Sequence, residues 1–443
     1  MLFVCYSLEN LIPATSTATS TTTNGDGDGD TRSAWVFTFN HAISDQQSLN
    51  TLITDLIQYL TTPTTPTSPL QSSTIQRYPF PPSIEQIVAP EPVNFRTIKW
   101  ALYQSINGLR SPVVLPDHIK RLAASELEVY KTQYVDPSVR RTYCKQFIIN
   151  KNIMSKLLLL CKTNNITITY CLSTLILILT SATTQDAFYS ATTSPTTSTA
   201  SSTNLHTRNL RFLLSVSLRP YQSPTSTSTW PTPLQVPEAG SGRLRSDWLR
   251  DSIGCAAGAV DYVTPVPAIL LKRINEMIHT SQITPPPLSS EVKEAFWTHA
   301  RECQQISNTL IYTNNYVPES VRLFGFGMSL PPIDILKAVE IEEENPVTLG
   351  RGFSCGVSNA GILSPTLQQG GVTGTDSKED RVCVSEVYYG TSHSRSGVLA
   401  LLSCMTVEGC LYGNLQFAVP LISEGEGELY ARVLVKYIES LVN

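Results

Sequence analysis

The run Ile166 to Thr180, ITITYCLSTLILILT, limits the possible folds more than any other stretch of this chain. It is shorter than the ~20 residues that a bilayer span needs, and it holds four threonines and a serine. It therefore reads as a buried helix, which must be enclosed by other elements. A chain of 443 residues exceeds the ~250–300 at which a single core stops growing, so two lobes are expected. With 41% hydrophobic residues the chain can fill such cores. The net charge of −4 and the lack of a Lys/Arg-rich block argue against a nucleic-acid partner. Ten cysteines occur without a CxxC pair or a Cys/His set of zinc spacing, so they read as small hydrophobes in a reducing compartment, and no metal is expected. Met1 to Cys5 is apolar but lacks a basic start and a long apolar core, so it does not read as a signal peptide. The expected location is the cytoplasm, with no transmembrane segment; peripheral association with a membrane is compatible with this reading.

Residues 13–30, 61–69, 191–204 and 222–234 are rich in Ser, Thr, Pro or Gly. They cannot bury enough apolar area to offset their ordering entropy, and they read as surface insertions, as does 368–379. Between them the elements alternate. Trp35 to Phe39 has the aromatic and β-branched content of a buried strand. Leu49, Leu52, Ile53, Leu56, Ile57 and Leu60 then recur at the spacing of one buried helical face. Leu157–Cys161 and Cys171–Leu179 read as two helices flanking a turn at Asn164-Asn165. Residues 211–218 read as a strand ending at Arg219-Pro220. Val382–Tyr389, Val398–Thr406 and Cys410–Val419 read as three more, before a final helix from Glu426 to Leu441. The class is mixed α/β (α+β).

The local pattern with most chemical content is Phe39-Asn40-His41-Ala42-Ile43-Ser44-Asp45-Gln46-Gln47-Ser48. It lies between the buried strand and the amphipathic helix, where a histidine ring can project into a cleft. Ser44 or Asp45 can cap the helix, and an acidic side chain there suits the helix dipole. The spacing alone favours the plainer reading, a hydrogen-bonded core histidine with Asp45 as a cap.

Together with three later stretches, FNHAISDQQS resembles the HHxxxDG motif of condensation domains, fungal alcohol acetyltransferases and related CoA-dependent acyltransferases. Leu157 to Cys161 with Asn165-Ile166-Thr167 resembles the helix–turn–helix opening that family's second lobe. Leu214-Ser215-Val216-Ser217-Leu218-Arg219-Pro220 is similar to its LRP strand, and Cys355-Gly356-Val357-Ser358-Asn359-Ala360-Gly361 to its SNxG strand. All four fall in the family's order. The resemblance implies a two-lobed chloramphenicol-acetyltransferase-like fold with a tunnel between the lobes. It implies acetyl-CoA, or another acyl-CoA, as co-substrate and no bound cofactor, with a small-molecule alcohol of secondary metabolism as acceptor. His41 takes the place of the catalytic base and Asp45 that of the structural aspartate, with Arg219 as its candidate partner. Asn40, Gln46, Ser358 and Asn359 are candidates for the tunnel wall. A neutral imidazole, with a pKa near ~6.5, is suited to take a proton from a hydroxyl at neutral pH.

Three departures accompany the resemblance. Asn40 replaces the first histidine of the motif, and Gln46 replaces its glycine. Only forty residues precede His41, where the family carries a larger part of its first lobe. The expectation is an incomplete first lobe over 1–130, carrying the motif, and a second lobe over 131–443. The alternative to an active O-acyltransferase is a catalytically inactive relative or binding module of the same fold. Amide condensation between carrier-bound substrates would require neighbouring modules. His118, His206, His279, His299 and His393 have no catalytic pattern around them in sequence. The lack of a GxSxG elbow disfavours a serine hydrolase.

Overall fold

The computed structural model describes residues 2–6, 37–40, 92–110, 115–136, 138–193, 206–218, 257–280, 286–329, 345, 348–363, 386–391 and 397–443. Their architecture is mixed α/β, built on a six-stranded sheet with a smaller three-stranded sheet beside it. The strands are β1 Leu2–Tyr6, β2 Phe37–Asn40, β3 Arg141–Ile149, β4 Asn209–Ser217, β5 Ala257–Pro265, β6 Arg351–Leu363, β7 Tyr388–Thr391, β8 Gly397–Val407 and β9 Cys410–Val419. The large sheet runs in the order β3-β9-β8-β6-β4-β5 and the small one β2-β1-β7. In the large sheet β4, β6 and β8 are parallel neighbours, while β3–β9, β8–β9 and β4–β5 are antiparallel.

Helices α1 Phe95–Arg110, α2 Asp117–Lys120 and α3 Ala124–Val135 precede β3. Then come α4 Lys151–Thr163, α5 Ile168–Thr184 and α6 Ala187–Thr193. Helices α7 Ala268–His279, α8 Ser290–Asn308 and α9 Tyr316–Ser329 lie between β5 and β6, and α10 Glu424–Val442 closes the chain. Side chains fix several of the starts. Asn150 accepts the N–H of Ile153, Ser289 that of Val292, and Ser423 forms a capping box with Glu426.

The apolar run forms α5, and every residue from Tyr170 to Thr184 is buried. Helices α4 and α5 meet at 100°, and among the described residues no single helix is long and apolar enough to cross a membrane. The bend is set at Asn165, which adopts a left-handed conformation (φ 56°) that asparagine tolerates better than most residues. The N–H of Ile166 then returns to the carbonyl of Cys161 at 2.9 Å. Leu172, Leu175, Ile176, Leu177, Ile178 and Leu179 are fully enclosed. Each such side chain contributes about 1.5–3 kcal/mol of burial free energy. Helix α5 packs on β4, β6 and β8, and α10 on β3 and β9.

Strand alternation gives the sheet two unlike faces. Cys355, Val357, Leu402, Cys404, Leu415 and Phe417 belong to the hydrophobic core beneath the helices. The intervening residues Ser358, Ser403, Asn414 and Gln416 are buried and polar. This second face carries the small sheet.

Candidate functional site

On the polar face the β6–β8 ladder is regular from Phe353↔Val398 to Asn359↔Cys404 and resumes, shifted, at Ile362↔Thr406. An irregularity of this kind frees backbone groups, and Tyr389 of β7 answers them. Its hydroxyl donates to the carbonyl of Ser358, lies 3.1 Å from that of Cys404, and accepts the N–H of Cys404 at 3.1 Å. Tyr389 is 1% exposed, and burial pushes its hydroxyl well above the ordinary tyrosine range, so it stays protonated as a donor.

Two amide side chains hold the backbone of β7. Asn414 donates from Nδ2 to the carbonyl of Tyr389 at 3.1 Å, and Gln416 accepts the N–H of Thr391 at 2.7 Å. The other end of Gln416 donates to the Ser403 hydroxyl at 2.6 Å. Gly390 sits between these contacts. A Cβ there would lie 2.7 Å from Asn414 Nδ2 and 3.1 Å from Gln416 Cδ, so no larger residue fits this seating.

From β7 the ladder continues outward. Thr391 faces Phe3 of β1, and Phe3 faces Phe39 of β2, where the strand ends at Asn40 opposite Leu2. The residue before His41 is thus the end of a ladder anchored on the large sheet. The side chain of Asn40, and all of His41, Asp45, Gln46 and Arg219, lie outside the described residues, as does the helix expected over Leu49–Leu60. The strand resembling the LRP pattern is present as β4, and Leu218, just after it, is buried.

Ser358 and Asn359 fall on β6 but have different surroundings. Ser358 is on the polar face, with its carbonyl bound by Tyr389. Asn359 turns to the helical side. Its Nδ2 donates to Thr169 at 3.0 Å, and its Oδ1 accepts the N–H of Gly361 at 2.9 Å. Asn359 therefore holds the strand against α5. The polar seam is rich in uncharged donors and acceptors, which can bind a backbone or a neutral polar ligand. Tyr389, Asn414 and Gln416 are not evident as site residues in the sequence. Their one signal is a pair of amides at strand spacing within the apolar CLYGNLQFAV of β9.

A second polar cluster lies at the start of α2, where the fold brings the carboxylate of Asp186, 68 residues away in sequence, to His118. Asp186 Oδ1 accepts the backbone N–H of His118 at 3.0 Å and lies 2.9 Å from its Nδ1, while Oδ2 binds Arg121. The ring of His118 stacks on Tyr189 with centroids 4.1 Å apart. Burial alone would push the Asp186 carboxyl up, but the bonds from His118 and Arg121 outweigh it and hold the group below its ordinary value. Asp117 pairs bidentately with Arg208 at 2.8 and 2.6 Å. These bonds tie α2 to the α5–α6 turn and to the approach to β4.

No family model and no curated protein sequence matches the chain. Solved structures do. A trichothecene 15-O-acetyltransferase from Fusarium sporotrichioides superposes with a TM-score of 0.51 at 10% identity, over 92% of this chain and 66% of that one. An NRPS cyclization-docking bidomain from Sorangium cellulosum gives 0.46 at 12% identity, over 93% and 59%. The epimerization domain from the third module of tyrocidine synthetase B gives 0.40 at 12% identity, over 92% and 68%. The first likeness shows the fold, which is chloramphenicol-acetyltransferase-like. The chain spans 66% of the length of that acetyltransferase.

Proposed function

We propose that this protein is a CoA-dependent O-acyltransferase that moves an acetyl or other short acyl group to a small-molecule alcohol of secondary metabolism. His41 is its general base. The observation carrying this reading is a combination: an acetyltransferase-like fold over 92% of the chain, and a histidine motif beginning where β2 ends. In the reaction the neutral His41 imidazole takes the proton of the acceptor hydroxyl. The oxygen attacks the thioester carbonyl, the C–S bond breaks, and the imidazolium returns its proton to the departing CoA thiolate. No serine or cysteine nucleophile is needed. An Asp45–Arg219 pair holds the motif rigid, which matters for a transfer between two bound substrates. Ser358, on the polar face, is the candidate donor to the developing oxyanion. Asn40 and Gln46 flank the acceptor path. The domain division at about residue 130, with the motif in the first part and the large sheet in the second, belongs to the same reading, as does a cytoplasmic location.

A second reading rests on Gln46, which stands where the related motif has glycine and adds a bulky polar side chain. In that reading the scaffold binds ligands without turnover. The two are separated by incubating the protein with isotopically labelled acetyl-CoA and a panel of alcohols, then searching for labelled esters by mass spectrometry. A labelled ester formed only with protein supports the transferase. Saturable acetyl-CoA binding without any ester supports the binding module.

A further inference from the structure

The histidine motif begins at the far end of a ladder whose other end is clamped by two buried amides. We propose that Gln416 is a positioning residue for the acyl transfer: by fixing the N–H of Thr391 it sets β7, and through β1 and β2 the place of His41. The inference rests on His41 being the base.

Gln416 is 0% exposed and lies in a strand whose neighbours Leu415 and Phe417 are also fully buried. A buried amide must be hydrogen-bonded to be tolerated, and here both ends are: Oε1 by Thr391 and Nε2 on Ser403. A leucine would fill comparable volume without that requirement, so what the amide adds is a fixed backbone position. Thr391, Phe3 and Phe39 are in one row of the small sheet. The clamped N–H is therefore two strand widths, roughly 10 Å, from the backbone of Phe39, two residues before His41. Strand pairing transmits that position, because a slip of one residue reverses the face of every side chain beyond it. Asn414 adds a second fixed point at Tyr389, and Gly390 between them permits the close approach. Two bonds two residues apart, at Tyr389 and Thr391, fix both the height and the register of β7.

The test uses the full chain carrying Gln416→Leu, read by amide hydrogen exchange and by steady-state kinetics. Exchange is expected to accelerate together in 2–6, 37–40 and 388–391 while 397–407 and 410–419 keep their protection. The kcat for alcohol-dependent CoA release is expected to fall about ten- to a hundred-fold, with KM for acyl-CoA within about two-fold. On a His41→Ala background the same substitution is expected to cost no further rate. Unchanged exchange in the small sheet, or equal loosening of both sheets, overturns the proposal. Faster exchange with normal turnover overturns the positioning role and leaves the transferase reading intact. An inactive wild type in which Gln416→Leu still loosens only the small sheet removes the acyl-transfer reading, and with it the catalytic role, while the clamp itself stands.

Discussion

The side chain of Asn359 bridges β6 and α5, donating to the Thr169 hydroxyl at 3.0 Å while accepting the N–H of Gly361 at 2.9 Å. Gly361 sits at φ +81°, a conformation that glycine adopts without strain. The shift in the β6–β8 register, between Asn359 and Ile362, thus falls just where the asparagine holds the strand. Asn359→Ala removes both bonds and should lower stability by about 1–2 kcal/mol, read as a lower urea midpoint at unchanged m-value. No shift in midpoint would mean that the bridge is dispensable.

Tyr389→Phe keeps the ring in its apolar setting but deletes the hydroxyl that serves Ser358 and Cys404. A buried N–H and a buried carbonyl then lose a partner, at a cost of about 1–3 kcal/mol. Exchange of the Cys404 amide should rise by a larger factor than that of amides elsewhere in β8. Equal protection in both proteins would show that water replaces the hydroxyl.

Gly413 lies under Phe147, and a Cβ there would come within 2.2 Å of the ring. Phe147 and Gly413 face each other across the β3–β9 pair, so the ring must shift to admit a methyl group. Gly413→Ala should therefore destabilise by about 1–3 kcal/mol, as overpacked cores do. Combining it with Phe147→Leu should recover part of that loss, measured by thermal melting of the single and double variants.

His299 is 1% exposed, and its Nε2 has no hydrogen-bond partner among the described residues. Burial pushes its imidazole below the ordinary value, with Glu302 offsetting this only in part. The sign follows from linkage. Above pH ~6.5 the ring is neutral in both states and contributes no pH dependence. Below it the unfolded chain takes up a proton that the folded chain refuses, so stability falls with acidification until the lowered folded value is reached. The slope is at most ~1.4 kcal/mol per pH unit. His299→Leu should flatten the urea midpoint between pH 7 and 5.5 relative to wild type. An equally steep decline in the variant would place the acid sensitivity elsewhere.

Patterns that depend on local spacing were legible in the sequence. Helices α4 and α5 with their Asn164-Asn165 turn follow from apolar periodicity and from the tolerance of asparagine for the left-handed region. Strand β9 spans the expected Cys410–Val419, and β8 and α10 extend only slightly beyond expectation. Contacts between distant residues left no such trace. Asp186 is 68 positions from His118, and its approach depends on how the α5–α6 turn packs against α2. Of the strand expected over Val382–Tyr389, residues 382–385 lie outside the described residues and the strand Tyr388–Thr391 overlaps its end; its role as the link between the two sheets rests on pairing with β1, which no local pattern encodes. The roles of Asn414, Gln416 and Ser403 were hidden for the same reason: in sequence they are isolated polar residues, and only the sheet brings them to one seam.

The most direct test of the account measures free CoA thiol from acetyl-CoA and a panel of alcohols, with wild-type protein and its His41→Ala variant side by side. The account predicts thiol release that requires an alcohol and disappears in the variant. Alcohol-dependent release at equal rates in both proteins would contradict His41 as the base, and absence of release with every alcohol in the wild type would contradict acyl transfer by this chain.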